Sequence, residues 1–213
     1  MIQLKAFTFN PFAENTYVLY DETAECIIID AGCYDDSEKN EMTKFIDENG
    51  LIPVELINTH CHIDHVLGLS FLAKKYNLNL RFHEKDMPVF DSTEMVAKMY
   101  GIPNVELPPS PSGFFEEGEI IEFGNSKLEI LFTPGHSPGH VVLVNQDQKF
   151  VIGGDVLFYG SIGRTDLPGG NHQTLIDSIK SKLLILEDEF QVYSGHGPVT
   201  NIGFERKNNP FLQ

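Results

Sequence analysis

Short stretches in which apolar and polar residues alternate dominate the start of the chain and predict strands. Gln3–Asn10, Thr16–Tyr20 and Glu25–Asp30 have this alternation with β-branched residues, and Asp30-Ala31-Gly32 closes the third with a turn. The apolar spacing then widens. Met42, Phe45 and Ile46 share one side of a helix over Ser37–Asn49, with Gly50 as its stop. Val54–Asn58 is a short buried strand. A helix from His65 to about Tyr76 carries Val66, Leu69, Leu72 and Ala73 at helical spacing, and Leu80–His83 is a further strand.

From Glu84 to Gly118 the pattern weakens under Pro88, Pro103, Pro108, Pro109 and Pro111, although Thr93–Tyr100 reads as a short helix. The segment is long for a plain connection. It is expected to cross between two halves of the fold, either as a connector or as one wall of a site. Strands resume at Ile120–Phe123, Lys127–Thr133, His140–Asn145 and Phe150–Ile152. A glycine-rich loop follows, then a helix from about His172 to Leu186, a strand at Gln191–Tyr193 and a short tail. Two strand-and-helix halves, about 1–110 and 111–213, would meet face to face in one α/β domain over 1–213. Two mixed sheets would lie inside and helices on the outer faces, an αββα sandwich.

Composition changes this picture little. A length of 213 residues suits one large domain, and 41% hydrophobic residues supply a core. The net charge of -16 disfavours nucleic acid and anionic membranes as partners, because both need a basic footprint. Cys26, Cys33 and Cys61 form no paired framework, and the N-terminal residues lack the pattern of a signal peptide, so a cytoplasmic location is expected. No apolar run approaches a membrane span, and no sustained heptad argues against a monomer.

The candidate chemistry begins at Thr59-His60-Cys61-His62-Ile63-Asp64-His65. Neutral imidazole and carboxylate are the usual ligands of zinc and of non-haem iron or manganese. In extended backbone His60 and His62 point to the same side, while Asp64 sits at a turn and His65 opens the next helix. One corner thus offers ligands in two directions, which suits two adjacent metal ions better than one. The plain alternative for Asp64 is a helix N-cap. Cys61, pointing away from its neighbours, reads as core packing.

Three more polar residues stand at strand ends between small residues: His136 in Pro134-Gly135-His136-Ser137-Pro138-Gly139-His140, Asp155 in Gly153-Gly154-Asp155, and His196 in Ser194-Gly195-His196-Gly197-Pro198. Together with the first cluster, over nearly the whole chain, they resemble the metallo-β-lactamase fold superfamily. Gly154-Asp155-Val156-Leu157-Phe158, Gly160-Ser161-Ile162-Gly163-Arg164-Thr165-Asp166 and Asn209-Pro210-Phe211-Leu212-Gln213 are most similar to short bacterial glyoxalase II-like hydrolases.

The resemblance implies two divalent metals, zinc first, with iron or manganese accepted by the same donors. His60, His62 and His136 would hold one, Asp64, His65 and His196 the other, and Asp155 would bridge them. A water bound between the metals, its pKa lowered from about 15.7 to about 7 in favourable sites, would attack the substrate. Asp64 would ligate and also take the proton or orient the nucleophile. A small-molecule hydroxyacyl thioester such as lactoylglutathione is the expected substrate, because thiolate leaves readily.

Arg164 and Tyr159 are the candidate substrate contacts, Arg164 through a bidentate grip on a carboxylate. Their plain alternatives are an Arg164–Asp166 surface pair and simple packing. Only 17 residues follow His196, whereas full-length glyoxalase II carries a helical C-terminal domain for glutathione. Arg206 and Lys207 could substitute in part, against a plain solvated turn. His140 is divided between orienting a ligand and packing, while His83 and His172 read as structural and exposed.

The main rival is a persulfide dioxygenase with one iron on His60, His136 and Asp155. A lactonase or other esterase stands behind it. A β-lactamase is disfavoured because such enzymes are typically exported, and a non-catalytic metal-binding domain by the complete ligand set.

Overall fold

The computed structural model describes residues 1–213. The first sheet runs β1 (Gln3–Phe9), β2 (Glu14–Tyr20), β3 (Glu25–Ile29), β4 (Ile52–Ile57), β5 (Leu80–Phe82) and β6 (Gly113–Phe114), in that spatial order. Its first three strands are antiparallel neighbours, and β3 to β6 pair in parallel. The helices α1 (Asp36–Glu48), α2 (Leu69–Tyr76), α3 (Met87–Asp91) and α4 (Thr93–Tyr100) come from its connections.

The second sheet combines β7 (Ile120–Phe123), β8 (Ser126–Phe132), β9 (Val141–Asn145) and β10 (Phe150–Gly154) with two later strands. A small hairpin of β11 (Leu157–Phe158) and β12 (Ser161–Ile162) precedes α5 (His172–Ser178), β13 (Gln191–Ser194), β14 (Thr200–Asn201) and α6 (Ile202–Asn208). The spatial order is β14-β13-β10-β9-β8-β7, with β10 and β13 parallel and the remaining pairs antiparallel.

Alternation along the strands separates three apolar layers. In β3, Cys26 and Ile28 join Met42, Ile46, Leu69 and Leu72 under the first helices, while Ile27 and Ile29 face the other sheet. In β9, Val141 and Leu143 meet them between the sheets, and Val142 and Val144 pack under Leu175, Ile179 and Ile202. Strands buried on both faces read as nearly continuous apolar runs, and the layering is the expected αββα sandwich.

Four sequence expectations need correction. The helix predicted from His65 is broken: Ile63–His65 is a single 3-10 turn, and α2 starts only at Leu69. Gly68 donates its amide to Ala31 at 2.7 Å, and a Cβ there would sit 2.5 Å from Cys33 Sγ, so a contact with the end of β3 interrupts the helical ladder. The helix predicted to Leu186 leaves α geometry after Ser178 for a π turn over Ile179–Leu183. The tail contains α6, capped by Asn201, whose side chain accepts the Phe204 amide. Helix α1 starts a residue earlier than expected, under a reciprocal capping box of Asp35 and Glu38.

Candidate metal centre

The strand ends of both sheets deliver their polar residues to one edge of the sandwich. After β4, Asn58 pinches the histidine loop shut, with its side-chain amide donating to the carbonyls of His60 at 3.1 Å and His65 at 2.9 Å. Thr59 donates its amide and hydroxyl to Asp30, each at 2.7 Å. Asn10 donates to the Asp64 carbonyl at 2.9 Å. Asp86, fully buried, accepts the Cys61 amide at 2.6 Å, the Gly139 amide at 2.7 Å and the Ser137 hydroxyl. It ties the His60–His62 loop to the His136 loop.

Two triplets of donor atoms result: His60, His62 and His136, and Asp64, His65 and His196, each with its atoms within 4.8 Å of one another. A third grouping of Asp30 with His60 and His65 shares their rings, but Asp30 is already engaged by Thr59. Asp155 lies between the two triplets. One carboxylate oxygen is 3.5 Å from His65 Nε2, and the other is 3.5 Å from both His136 Nε2 and His196 Nε2. A Cβ at position 195 would fall 2.2 Å from Asp155 Oδ1, so only glycine lets the β13 turn come this close.

Hydrogen bonds fix which ring nitrogens carry protons. His136 Nδ1 donates to the Arg164 carbonyl at 2.8 Å, which leaves Nε2 bare. The Thr59 hydroxyl is spent on Asp30, so His60 Nδ1 donates to it at 3.1 Å, which bares His60 Nε2. The two bare nitrogens lie 3.2 Å apart, and His62 Nδ1 is 2.8 Å from the same His136 atom. In the second triplet His196 Nδ1 donates to the Ala13 carbonyl at 3.2 Å, and its Nε2 faces Asp64 Oδ2 at 3.1 Å. His65 Nδ1 lies 3.2 Å from Asp30, and its Nε2 has no hydrogen-bond partner, nor has Asp155 Oδ1. Buried polar atoms without partners are rare. Lone pairs facing lone pairs and carboxylates fit cations, and the donor set fits zinc, iron or manganese.

The titration directions divide the two triplets. Burial, reinforced by the neighbouring histidines, holds His60 well below its ordinary value; burial takes His62 down to about 3 and His136 to about 4, so these rings stay neutral and available as ligands. Burial also opposes charge on His65 and His196, but Asp64 and Asp155 outweigh it and raise both. For Asp64 burial pushes upward, yet His65 and His196 hold it well below the usual carboxylate range. Burial raises Asp155.

A family model described as the metallo-beta-lactamase superfamily matches residues 9–196. The chain belongs to this superfamily. Within it the chain is 38% identical over 202 residues to the hydroxyacylglutathione hydrolase GloC of Haemophilus influenzae, covering 94% of this chain and 93% of that protein. The crystal structure of the BLEG-1 B3 metallo-beta-lactamase superposes with a TM-score of 0.89 at 33% identity, over 99% of this chain and 100% of that one. TTHA1623 in a di-iron-bound form superposes at 0.88 and 36% identity, over 98% and 100%. As a superfamily member, the chain is a metallo-hydrolase with grouped His and Asp donors. No helix is long and apolar enough to cross a membrane.

The remaining candidates lie as follows. Arg164 is exposed and makes a bidentate pair with Asp166, both bonds 2.7 Å, while its carbonyl serves His136. Tyr159 is 55% exposed and stacks on Phe204 with centroids 4.7 Å apart. Asp64 caps no helix, because α2 begins after Gly68. His140 stacks on His60 at 4.9 Å and accepts the Asp155 amide at 3.0 Å, so it holds the backbone of Asp155. His83 stacks on Phe132. Cys61 is buried in the core. Arg206 donates to the carbonyls of Leu184 and Leu186.

Sequence reasoning missed Glu14, Asp86, Asn58 and the buried role of Asp30. Glu14 is fully buried 3.9 Å from His65 Nδ1, accepts the Thr16 hydroxyl at 2.9 Å, and is pushed well up by burial. Its one sequence signal is a carboxylate at the head of an apolar strand. Asp86 gives none, since Glu84-Lys85-Asp86 reads as a solvated run.

Proposed function

We propose that the chain hydrolyses a small hydroxyacyl thioester such as lactoylglutathione at a site for two divalent metals. His60, His62 and His136 would hold one ion, and Asp64, His65 and His196 the other, with Asp155 shared. The observation that carries this reading is the Asp155 carboxylate facing ring nitrogens of both triplets at 3.5 Å. The name of the Haemophilus relative supports the substrate class. Zinc is the first candidate, and the di-iron form of TTHA1623 keeps iron beside it.

Bound there, the cations would supply Lewis acidity and bring proton loss from water into the neutral range. The protein's own part is positional and acid–base. Asp64, held ionised by His65 and His196, accepts the proton of an attacking water at Oδ2 or orients it. His60, His62 and His136 remain neutral. The pairing of Arg164 with Asp166 leaves a cation at the surface that can exchange its partner for a substrate carboxylate. Free, buried Cys26, Cys33 and Cys61 suit a reducing cytoplasm, and a monomer suffices for this site.

The rival dioxygenase reading needs only His60, His136 and Asp155. It leaves the unpartnered His65 nitrogen without a task, which favours the two-metal hydrolase. The deciding experiment is hydrolysis of S-D-lactoylglutathione by metal-loaded protein, followed as loss of thioester absorbance, with Asp155→Ala as control. Turnover abolished by the substitution supports the proposal. No turnover sinks it, and oxygen uptake with a persulfide, or cleavage of a β-lactam or lactone, would then decide among the alternatives.

A further inference from the structure

The β11–β12 hairpin leaves Asp155 and returns to Arg164, so its two ends adjoin both triplets. At one end the Phe158 ring lies edge-on to His196, with centroids 6.3 Å apart. At the other the Arg164 carbonyl accepts His136 Nδ1. The tip of the hairpin is gripped by α6. Glu205 is fully buried, and its two oxygens accept the Gly160 amide, each at 3.1 Å. It also accepts the Thr200 hydroxyl and, at 2.7 Å, the side-chain amide of Asn209. Asn209, equally buried, donates from that amide to the Ser161 carbonyl at 3.0 Å. The Tyr159 ring lies flat on Phe204, with 11° between the planes.

Three consecutive tip residues, Tyr159, Gly160 and Ser161, are therefore each held by a separate residue of α6 or its C-cap. A buried carboxylate is costly unless it is hydrogen-bonded, and here those bonds go to the turn of a hairpin whose ends touch His196 and His136. We propose that Glu205, Asn209 and Phe204 are positioning residues that set the substrate-facing wall through the hairpin, and so govern substrate recognition rather than metal binding. This rests on the thioester hydrolase reading above.

The test compares the wild type with Glu205→Gln and Phe204→Leu, each loaded with zinc and assayed for metal content, kcat and KM on S-D-lactoylglutathione. Full metal content, kcat within about twofold, and KM raised about tenfold in Glu205→Gln and about threefold in Phe204→Leu are expected. An unchanged KM in both, or loss of metal together with activity, overturns the proposal. Should Glu205→Gln fail to fold, Phe204→Leu carries the kinetic comparison.

A second arm needs no activity. The chain contains no tryptophan, so Tyr159→Trp places a single indole on the hairpin tip. Adding Glu205→Gln to it is expected to red-shift the emission and lower its anisotropy. Unaltered fluorescence overturns the positioning role. Absence of thioester turnover in the wild type defeats only the activity on which the role was built.

Discussion

Asp86 accepts the backbone amide of Cys61 at 2.6 Å, between the ligand candidates His60 and His62. Through Ser137 and Gly139 the same carboxylate holds the loop of His136. Asp86→Ala would leave buried donors in both loops unpaired and is expected to cost roughly 3–5 kcal/mol of stability. Urea unfolding of the metal-free protein checks this. A cost within experimental error would show that the loops hold their positions without the clamp.

Chelation should destabilise the protein. The bare nitrogens and the unpartnered oxygen of Asp155 face one another across a buried space, and an ion bound only by the folded state stabilises by about 4 kcal/mol at a thousand times its Kd. Elemental analysis of the loaded protein is expected to give two ions per chain, with a melting temperature that falls on treatment with a strong chelator. An unchanged melt would contradict binding at these triplets.

Acid should weaken the metal-free protein through its buried histidines. Burial lowers His60, His62, His136 and His140, so the unfolded chain binds more protons than the native state once pH falls below about 6.5. Their contribution is present above that pH and is lost as pH falls toward the folded values, about 4 for His136 and about 3 for His62. Glu14, Glu55, Asp86 and Asp155, raised by burial, act in the opposite sense above about pH 4, and the raised His65 and His196 do so above about pH 6.5, so the four lowered histidines act unopposed only below about pH 4. Each net proton is worth about 1.4 kcal/mol per pH unit. Denaturation midpoints should therefore fall between about pH 4 and pH 3, and a flat profile there would mean that these rings are not buried neutral.

Arg164 and Asp166 form an exposed pair, so breaking it should shift stability by no more than about 0.5 kcal/mol. Catalysis should respond instead. Arg164→Ala is expected to raise KM for a carboxylate-bearing thioester and Asp166→Ala to lower it, with melting temperatures unchanged. Equal KM values in the two variants would remove Arg164 from substrate binding.

The three thiols should be inert in the native protein. Burial pushes Cys26 and Cys33 up to about 12 and Cys61 well above its ordinary value. A thiol-specific disulfide reagent should find none of them without denaturant and all three with it.

Much of the architecture was legible in the sequence because a strand buried on one or both faces leaves a periodic signature, as β1, β3 and β9 do. The broken helix after His65 was not legible, since the interruption comes from Gly68 meeting Ala31 and Cys33, a contact that local spacing does not encode. Helix α6 was hidden by its seven-residue length. The donor residues stood out because each follows an apolar strand and sits among small residues, whereas their pairing into triplets came from the family resemblance. The buried carboxylates Glu14, Asp86 and Glu205 were invisible among 31 acidic residues. Their burial depends on partners distant in the chain.

Each donor triplet draws on both sheets: His60 and His62 are completed by His136, and Asp64 and His65 by His196. On the ribosome, a growing chain therefore carries no finished triplet until His136 has been added, and no second one until His196. Closure of the triplets is thus tied to the docking of the two sheets. A translation product stopped before β13 would carry the first triplet entire and the second without His196, and so no means of closing it.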